Sequence, residues 1–162
     1  FAAGKEPLLE NHRDQLKPEI VWNIEHGLEL TAAQIGHAER LRGEMFNRLA
    51  TFFDTYDYLC CPTVLTAPFD GEIRYLKELN GQEFSSYVSW LIMTFAFSAL
   101  SVPAISIPCG FTSEGLPVGL QIVGRPRDDA GLLSAAKLLE DILGLSALVP
   151  IEPRAKPSPV IS

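Results

Sequence analysis

The chain has 162 residues with 47% hydrophobic, 20% charged and 9% aromatic side chains, an ordinary globular composition that excludes disorder and collagen-like repeats. Thirteen Lys and Arg against twenty Asp and Glu leave a formal charge of −7, which argues against a nucleic-acid phosphate partner, since that would call for a basic face. Cysteines at 60, 61 and 109 are odd in number and the first two are neighbours, so neither a disulfide nor a zinc framework is implied and a reducing, cytoplasmic setting is expected.

The sequence starts at Phe1 with no signal-peptide pattern, so it is expected to begin inside a longer polypeptide. The clearest helix start is Leu30–Ile35, where Thr31 caps, Gln34 completes a capping box and Leu30 staples onto Ile35. Ile35, Ala38, Leu41, Met45, Leu49 and Phe52 follow in steps of three and four, predicting one apolar face of a helix to about Phe53. Residues 56–63 are short and apolar and end at Pro62, which predicts a buried strand.

Between Phe84 and Ser113 there is no charged residue, which raises a membrane span. Scattered serines, Pro103, Pro108 and the acidic flanks Glu83 and Glu114 favour a core segment instead, so no membrane partner is expected. That segment predicts a helix from 83 to about 100, buried on most sides, and a strand at Ala104–Ile107. A second strand, Val118–Val123, lies close enough beyond the turn formers Ser113, Gly115 and Pro117 to pair with the first. Gly119 inside it marks a close backbone approach. Asp129–Leu143 predicts a last helix, capped by Asp128 or Asp129 and stopped by Gly144, with Leu132, Ala136, Leu139 and Leu143 as its stripe. Residues 149–162 read as a Pro-rich tail after a segment spanning 1–148. Helices alternating with short strands predict an α/β fold with the sheet covered on both faces.

No complete chemistry is written in these residues. There is no G-x-S-x-G elbow, no zinc-helix histidine pair, no phosphate loop and no dinucleotide fingerprint, so neither metal nor cofactor is implied. His12, His26 and His37 read as helix residues, and Cys60 and Cys61 as small hydrophobes. Ser85 and Ser86 with Lys77 sketch a serine–lysine pair, against which stands helix capping.

Three segments carry a resemblance. Residues 103–124 contain P-A-x-S-x-P-x-G and G-L-P-x-G-L-Q-x-x-G, residues 56–63 read Y-D-x-L-x-x-P-T, and Lys17-Pro18-Glu19 with Ile24-Glu25-x-Gly27, Ala38 and Arg42 precede them. In this order they resemble the C-terminal part of the amidase signature family, with a mixed sheet covered by helices. The resemblance implies amide hydrolysis by a serine nucleophile activated through a second serine and a lysine, all in upstream motifs that do not occur here. No catalytic residue carries over, and the missing N-terminal part of the same polypeptide is the implied partner, with a small amide as substrate and a homo-oligomer among the expected assemblies.

The resemblance also suggests substrate-side positions. Arg42 matches an arginine that faces the substrate carboxylate in glutamine-handling members, with a surface salt bridge as the other reading. Where those members carry an acidic residue, this chain has Trp90, Leu91 and Ile92, an apolar wall suited to an aliphatic or aromatic amide. A piece resembling the A subunit of an aminoacyl-tRNA amidotransferase and a non-catalytic binding module are the alternatives. Gln121, polar amid Val118, Leu120 and Ile122, is left open, satisfaction on the opposite sheet face being the plain reading.

Overall fold

The structure is a computed structural model that describes residues 1–144, so the 148 boundary and the Pro-rich tail lie outside the described residues. In chain order the first elements are α1 (Ala2–His12), α2 (Pro18–Leu28), α3 (Ala32–Phe53) and β1 (Leu59–Pro62). A small hairpin, β2 (Glu78–Leu79) and β3 (Gln82–Glu83), precedes α4 (Tyr87–Trp90) and α5 (Ile92–Leu100). Strands β4 (Ala104–Phe111) and β5 (Pro117–Val123) lead to α6 (Asp129–Leu143). These elements fall into two compact units, one of Phe1–Thr55 with Ile73–Leu100 and one of Tyr56–Glu72 with the stretch beginning at Ser101.

The first unit is helical. Pro18 opens α2, where a missing N–H costs no hydrogen bond. A Cβ on Gly27 would lie 2.6 Å from that of Ala2, so the glycine is what lets α1 and α2 approach. The capping box of α3 is present as the sequence predicts: Thr31 Oγ1 accepts from the Gln34 N–H and the Thr31 N–H donates to Gln34 Oε1. Its apolar face is buried only at the C-terminal end, at Leu49 and Phe53, while Ile35, Leu41 and Met45 are exposed.

The helix expected over 83–100 is corrected in two respects. It starts at Tyr87, because residues 82–83 belong to the hairpin, and it is broken at Leu91, whose backbone leaves the helical region. Asn80 and Gly81 both take positive φ, 51° and 80°, the combination a two-residue hairpin turn requires. Nor is the segment buried on most sides, for Tyr87, Val88, Ile92 and Phe95 are exposed and Leu100 is the residue that is buried. No helix among the described residues is long and apolar enough to cross a membrane.

The second unit is a three-stranded sheet in the order β1-β5-β4, antiparallel throughout, with α6 packed on it. Helices and strands follow one another in runs rather than singly, which still fits the α/β fold expected, and the strands described pair only antiparallel where a mixed sheet was expected. Ile107 and Ile122 meet Leu132 and Ala136 in its core, with Tyr58, Ile105, Leu120 and Leu139 around them. Fully burying an Ile or Leu of this core stabilises by roughly 1.5–3 kcal/mol. The opposite face is also closed at its centre, where Gln121 and Val123 are 5% and 0% exposed. Asp128 caps α6 by accepting from the Gly131 N–H, and Gly144 ends it in the left-handed conformation.

Two expectations for the strands change. β4 does not stop at Ile107: a register shift between Pro108 and Gly110 accommodates the proline, which has no N–H to donate, and pairing continues to Phe111. β1 is an edge strand rather than a buried one, half-buried at Leu59 and Cys61 and exposed at Cys60 and Pro62. Tyr58 Oη donates to the Gly131 carbonyl at 3.1 Å and Arg125 pairs with Asp57 at 3.1 Å, fixing the residues that lead into β1.

Above Gly119, Thr63 Oγ1 and Ser106 Oγ are hydrogen-bonded at 2.7 Å. An added Cβ would lie 2.9 Å from the first and 2.8 Å from the second, and the Thr63 N–H donates to the Gly119 carbonyl. Gly119→Ala is therefore expected to destabilise the protein by about 1–3 kcal/mol. The same change made with Thr63→Ala and Ser106→Ala is expected to cost less than the sum of its parts in thermal denaturation; strict additivity would rule out the steric cause.

Candidate functional site

The break between α4 and α5 sets the positions of Trp90, Leu91 and Ile92. Ser86 caps α4 by accepting from the Ser89 N–H, one turn forms, and the chain turns at Leu91 before α5 begins. The three apolar side chains consequently point to different places. Trp90 sits edge-on to Phe84 with ring centroids 5.9 Å apart. Leu91 lines a cavity of about 440 Å³, and Ile92 a neighbouring one of about 540 Å³. The expected single wall is divided between an aromatic pair and two adjoining hollows.

Residues that the family resemblance does not single out complete these cavities. Trp22 and Asn23 of α2 and Ser85, Ser86 and Val88 line both, with Tyr75 and Tyr87 in the first and Phe95 in the second. The only signal in the sequence was that Trp22, Tyr75 and Tyr87 are large aromatics. All belong to the first compact unit.

Arg42 lines neither cavity. Its Nε and Nη2 both donate to Glu39 Oε2, at 3.0 and 2.6 Å, across one turn of α3. Both side chains are exposed. The hydrogen bond and the charge of Arg42 lower the Glu39 pKa, and Glu39 in turn raises that of Arg42. This is the surface salt-bridge arrangement, with the guanidinium fork already engaged.

Of the Ser85–Ser86 pair, Ser86 serves as the cap of α4. Both hydroxyls are within 3.1 Å of Ser89 Oγ, and neither is hydrogen-bonded to Lys77, whose carbonyl instead accepts from the Phe84 N–H. His26 stacks on Trp22, and His37 lies 2.5 Å from Arg40 on the surface of α3. The three cysteines are free thiols, Cys61 accepting from Gln121 Nε2 at 3.3 Å and Cys109 donating to the Val118 carbonyl at 3.5 Å. No group of three or more His, Cys, Asp or Glu among the described residues is placed to hold a metal ion.

Against known proteins, the family model described as Amidase matches residues 3–133. An acylamidase of Rhodococcus erythropolis is 33% identical over 82% of this chain and 28% of its own length. The A subunit of the glutamyl-tRNA(Gln) amidotransferase of Myxococcus xanthus is 55% identical over 64% of the chain and 20% of its own length. A crystal structure of an amidase superposes with a TM-score of 0.75 at 29% identity, covering 88% of this chain and 32% of that one. The chain thus spans about a third or less of the proteins it matches.

The Glu39–Arg42 pair has a direct test. A carboxyl whose pKa is depressed in the folded state adds stability that is present above its unfolded pKa and is lost as pH falls through the folded one. NMR titration is expected to place the Glu39 midpoint below the ordinary carboxylate range, and Arg42→Gln to return it there. Because the pair is exposed, added salt should shrink the shift. A Glu39 midpoint indifferent to Arg42 would contradict the pairing.

Proposed function

Because the chain belongs to the amidase signature family, we propose that residues 1–148, followed by the tail 149–162, are the C-terminal segment of an enzyme hydrolysing a neutral carboxamide to an acid and ammonia or an amine. The observation that carries this reading is the stretch 103–124, whose family-like pattern is folded as the β4–β5 hairpin with Ser106, Gly119 and Gln121 on one face. In the proposed reaction a serine upstream of Phe1 attacks the amide carbonyl and passes its proton by way of a second serine and a lysine. The C–N bond breaks as the leaving amine takes a proton, and water cleaves the acyl-serine ester.

This segment contributes sheet strands, covering helices and part of the substrate's path. Leu91 and Ile92 supply apolar wall, and Trp90 acts by holding Phe84. Arg42 is the group a carboxylate-bearing substrate would have to recruit, at the expense of its bond to Glu39. Large apolar side chains left exposed on α3, among them Ile35, Leu41 and Met45, are where the upstream polypeptide packs. Free thiols suit a cytoplasmic enzyme.

The 55% identity to one component of an amidotransferase favours a second reading, in which ammonia is delivered to a tRNA-bound carboxylate in company with partner subunits. The apolar residues at 90–92 stand against it, because a glutamine's charged end would find no acidic partner there.

The isolated chain is expected to show no turnover of simple aliphatic or aromatic amides and to associate through its exposed apolar faces. The same segment within its complete polypeptide is expected to release ammonia or amine from them. Turnover by the purified isolated chain would overturn the placement of the catalytic groups upstream. Glutamine-dependent activity appearing only with partner subunits would transfer the assignment to the second reading.

A further inference from the structure

The cavity of about 440 Å³ beside Leu91 has a composition that selects its ligand. Trp22 of α2 forms one side and Tyr75 and Tyr87, edge to face with centroids 5.6 Å apart, form another. Trp22, Tyr87 and Val88 remain exposed, and His26, which stacks on Trp22, lines the neighbouring cavity and not this one, so a bound group meets the part of the indole that His26 does not cover. The volume lies in the range of small-molecule sites and leaves room for a substituted aromatic ring.

Its polar groups are mostly spoken for. The Glu19 carboxylate at the rim is held by Arg74 Nη2 at 2.5 Å, and the Ser85 and Ser86 hydroxyls are both within hydrogen-bonding distance of Ser89. Asn23 and the two tyrosine hydroxyls are the exceptions: the half-buried Asn23 amide and the Tyr75 and Tyr87 hydroxyls belong to the lining and make no hydrogen bond among the described residues. The site therefore offers aromatic faces, no unpaired charged side chain, and neutral groups, the Asn23 amide and the two tyrosine hydroxyls, able both to donate and to accept.

We propose that this cavity binds the aryl group of a neutral aromatic amide, with the ring between Trp22 and the Tyr75–Tyr87 pair and Asn23 hydrogen-bonded to its polar edge. The proposal rests on the amide-hydrolase reading and names its substrate class. Arg74 acts as a positioning residue: by holding Glu19 it keeps a negative charge from the rim and fastens the segment carrying Tyr75 to α2.

The test uses the complete enzyme, comparing kcat/KM for benzamide and propionamide. Trp22→Ala and Tyr87→Ala are each expected to lower the benzamide value about tenfold or more and the propionamide value by severalfold less, the discrimination that aromatic contacts supply. Trp22→Phe should recover most of the loss. Arg74→Gln, which frees the Glu19 charge, should shift preference toward a ring bearing an ammonium group. Equal losses on both substrates with an unchanged melting temperature would overturn the proposal, as would variants indifferent to the ring.

Titration of tryptophan emission with benzamide separates this from failure of the underlying reading. Saturable quenching that Trp22→Phe abolishes supports the cavity even if no amide is turned over. Absence of quenching in an enzyme that does hydrolyse propionamide refutes the cavity alone, and would fit its being filled by polypeptide preceding Phe1.

Discussion

The sheet unit depends on β5 being hydrogen-bonded along both edges, to β1 and to β4. A strand in that position must satisfy two neighbours and two faces at once, and its residues divide accordingly. Leu120 and Ile122 turn to the core under α6, while Gly119 and Gln121 turn the other way. Gly119 makes room for the Thr63–Ser106 hydrogen bond, and the Gln121 amide reaches Cys61 on the adjoining strand. Gly124 donates its N–H to the Pro103 carbonyl just where a Cβ would press on Leu132. Within the amidase pattern over 103–124, Gly119, Gln121 and Gly124 thus answer to packing neighbours, whereas Gly110 and Gly115 stand in open space and answer to a positive φ.

The helical unit is governed differently. Its apolar residues exceed what its own packing covers, so α3 has the periodicity of a core helix with an exposed first half, and α5 is largely apolar while burying little beyond Leu100. Local interactions such as the Thr31–Gln34 box and the Gly27 approach set the ends and spacing of the helices without closing the hydrophobic surface. That division between well-determined elements and unfinished burial is what the amidase family reading explains.

Much of this was legible because it is local. The Thr31-x-x-Gln34 pair, the Asp128 cap, the Gly144 stop and the short span between β4 and β5 each act over a few residues, and the elements they define are present. The Asn80-Gly81 turn was equally local, but its strands are only two residues long and carry no alternation to draw attention to them. What could not be read was burial, which depends on partners distant in sequence: hence the exposed α3 stripe and the edge position of β1. The candidate site divides along the same line. Glu39 lies one helical turn from Arg42, so their pairing was within reach, whereas the cavity beside Leu91 exists because Trp22 and Tyr75 arrive from remote segments.

The distance along the chain between paired strands also orders assembly. Cys109 and Val118, bonded within the hairpin, are 9 residues apart, and Cys61 and Gln121 are 60 apart. Loop-closure entropy grows with the logarithm of that separation, so adding β1 costs about 2 kcal/mol more than forming the hairpin. During synthesis β1 leaves the ribosome well before β5 exists to receive it, and loop entropy favours β4–β5 pairing first and β1 last. In that interval both vicinal thiols and the bare edge of β1 are uncovered, which makes Cys60–Cys61 the point in this sheet most open to oxidation or capture by a foreign strand while the protein is being made.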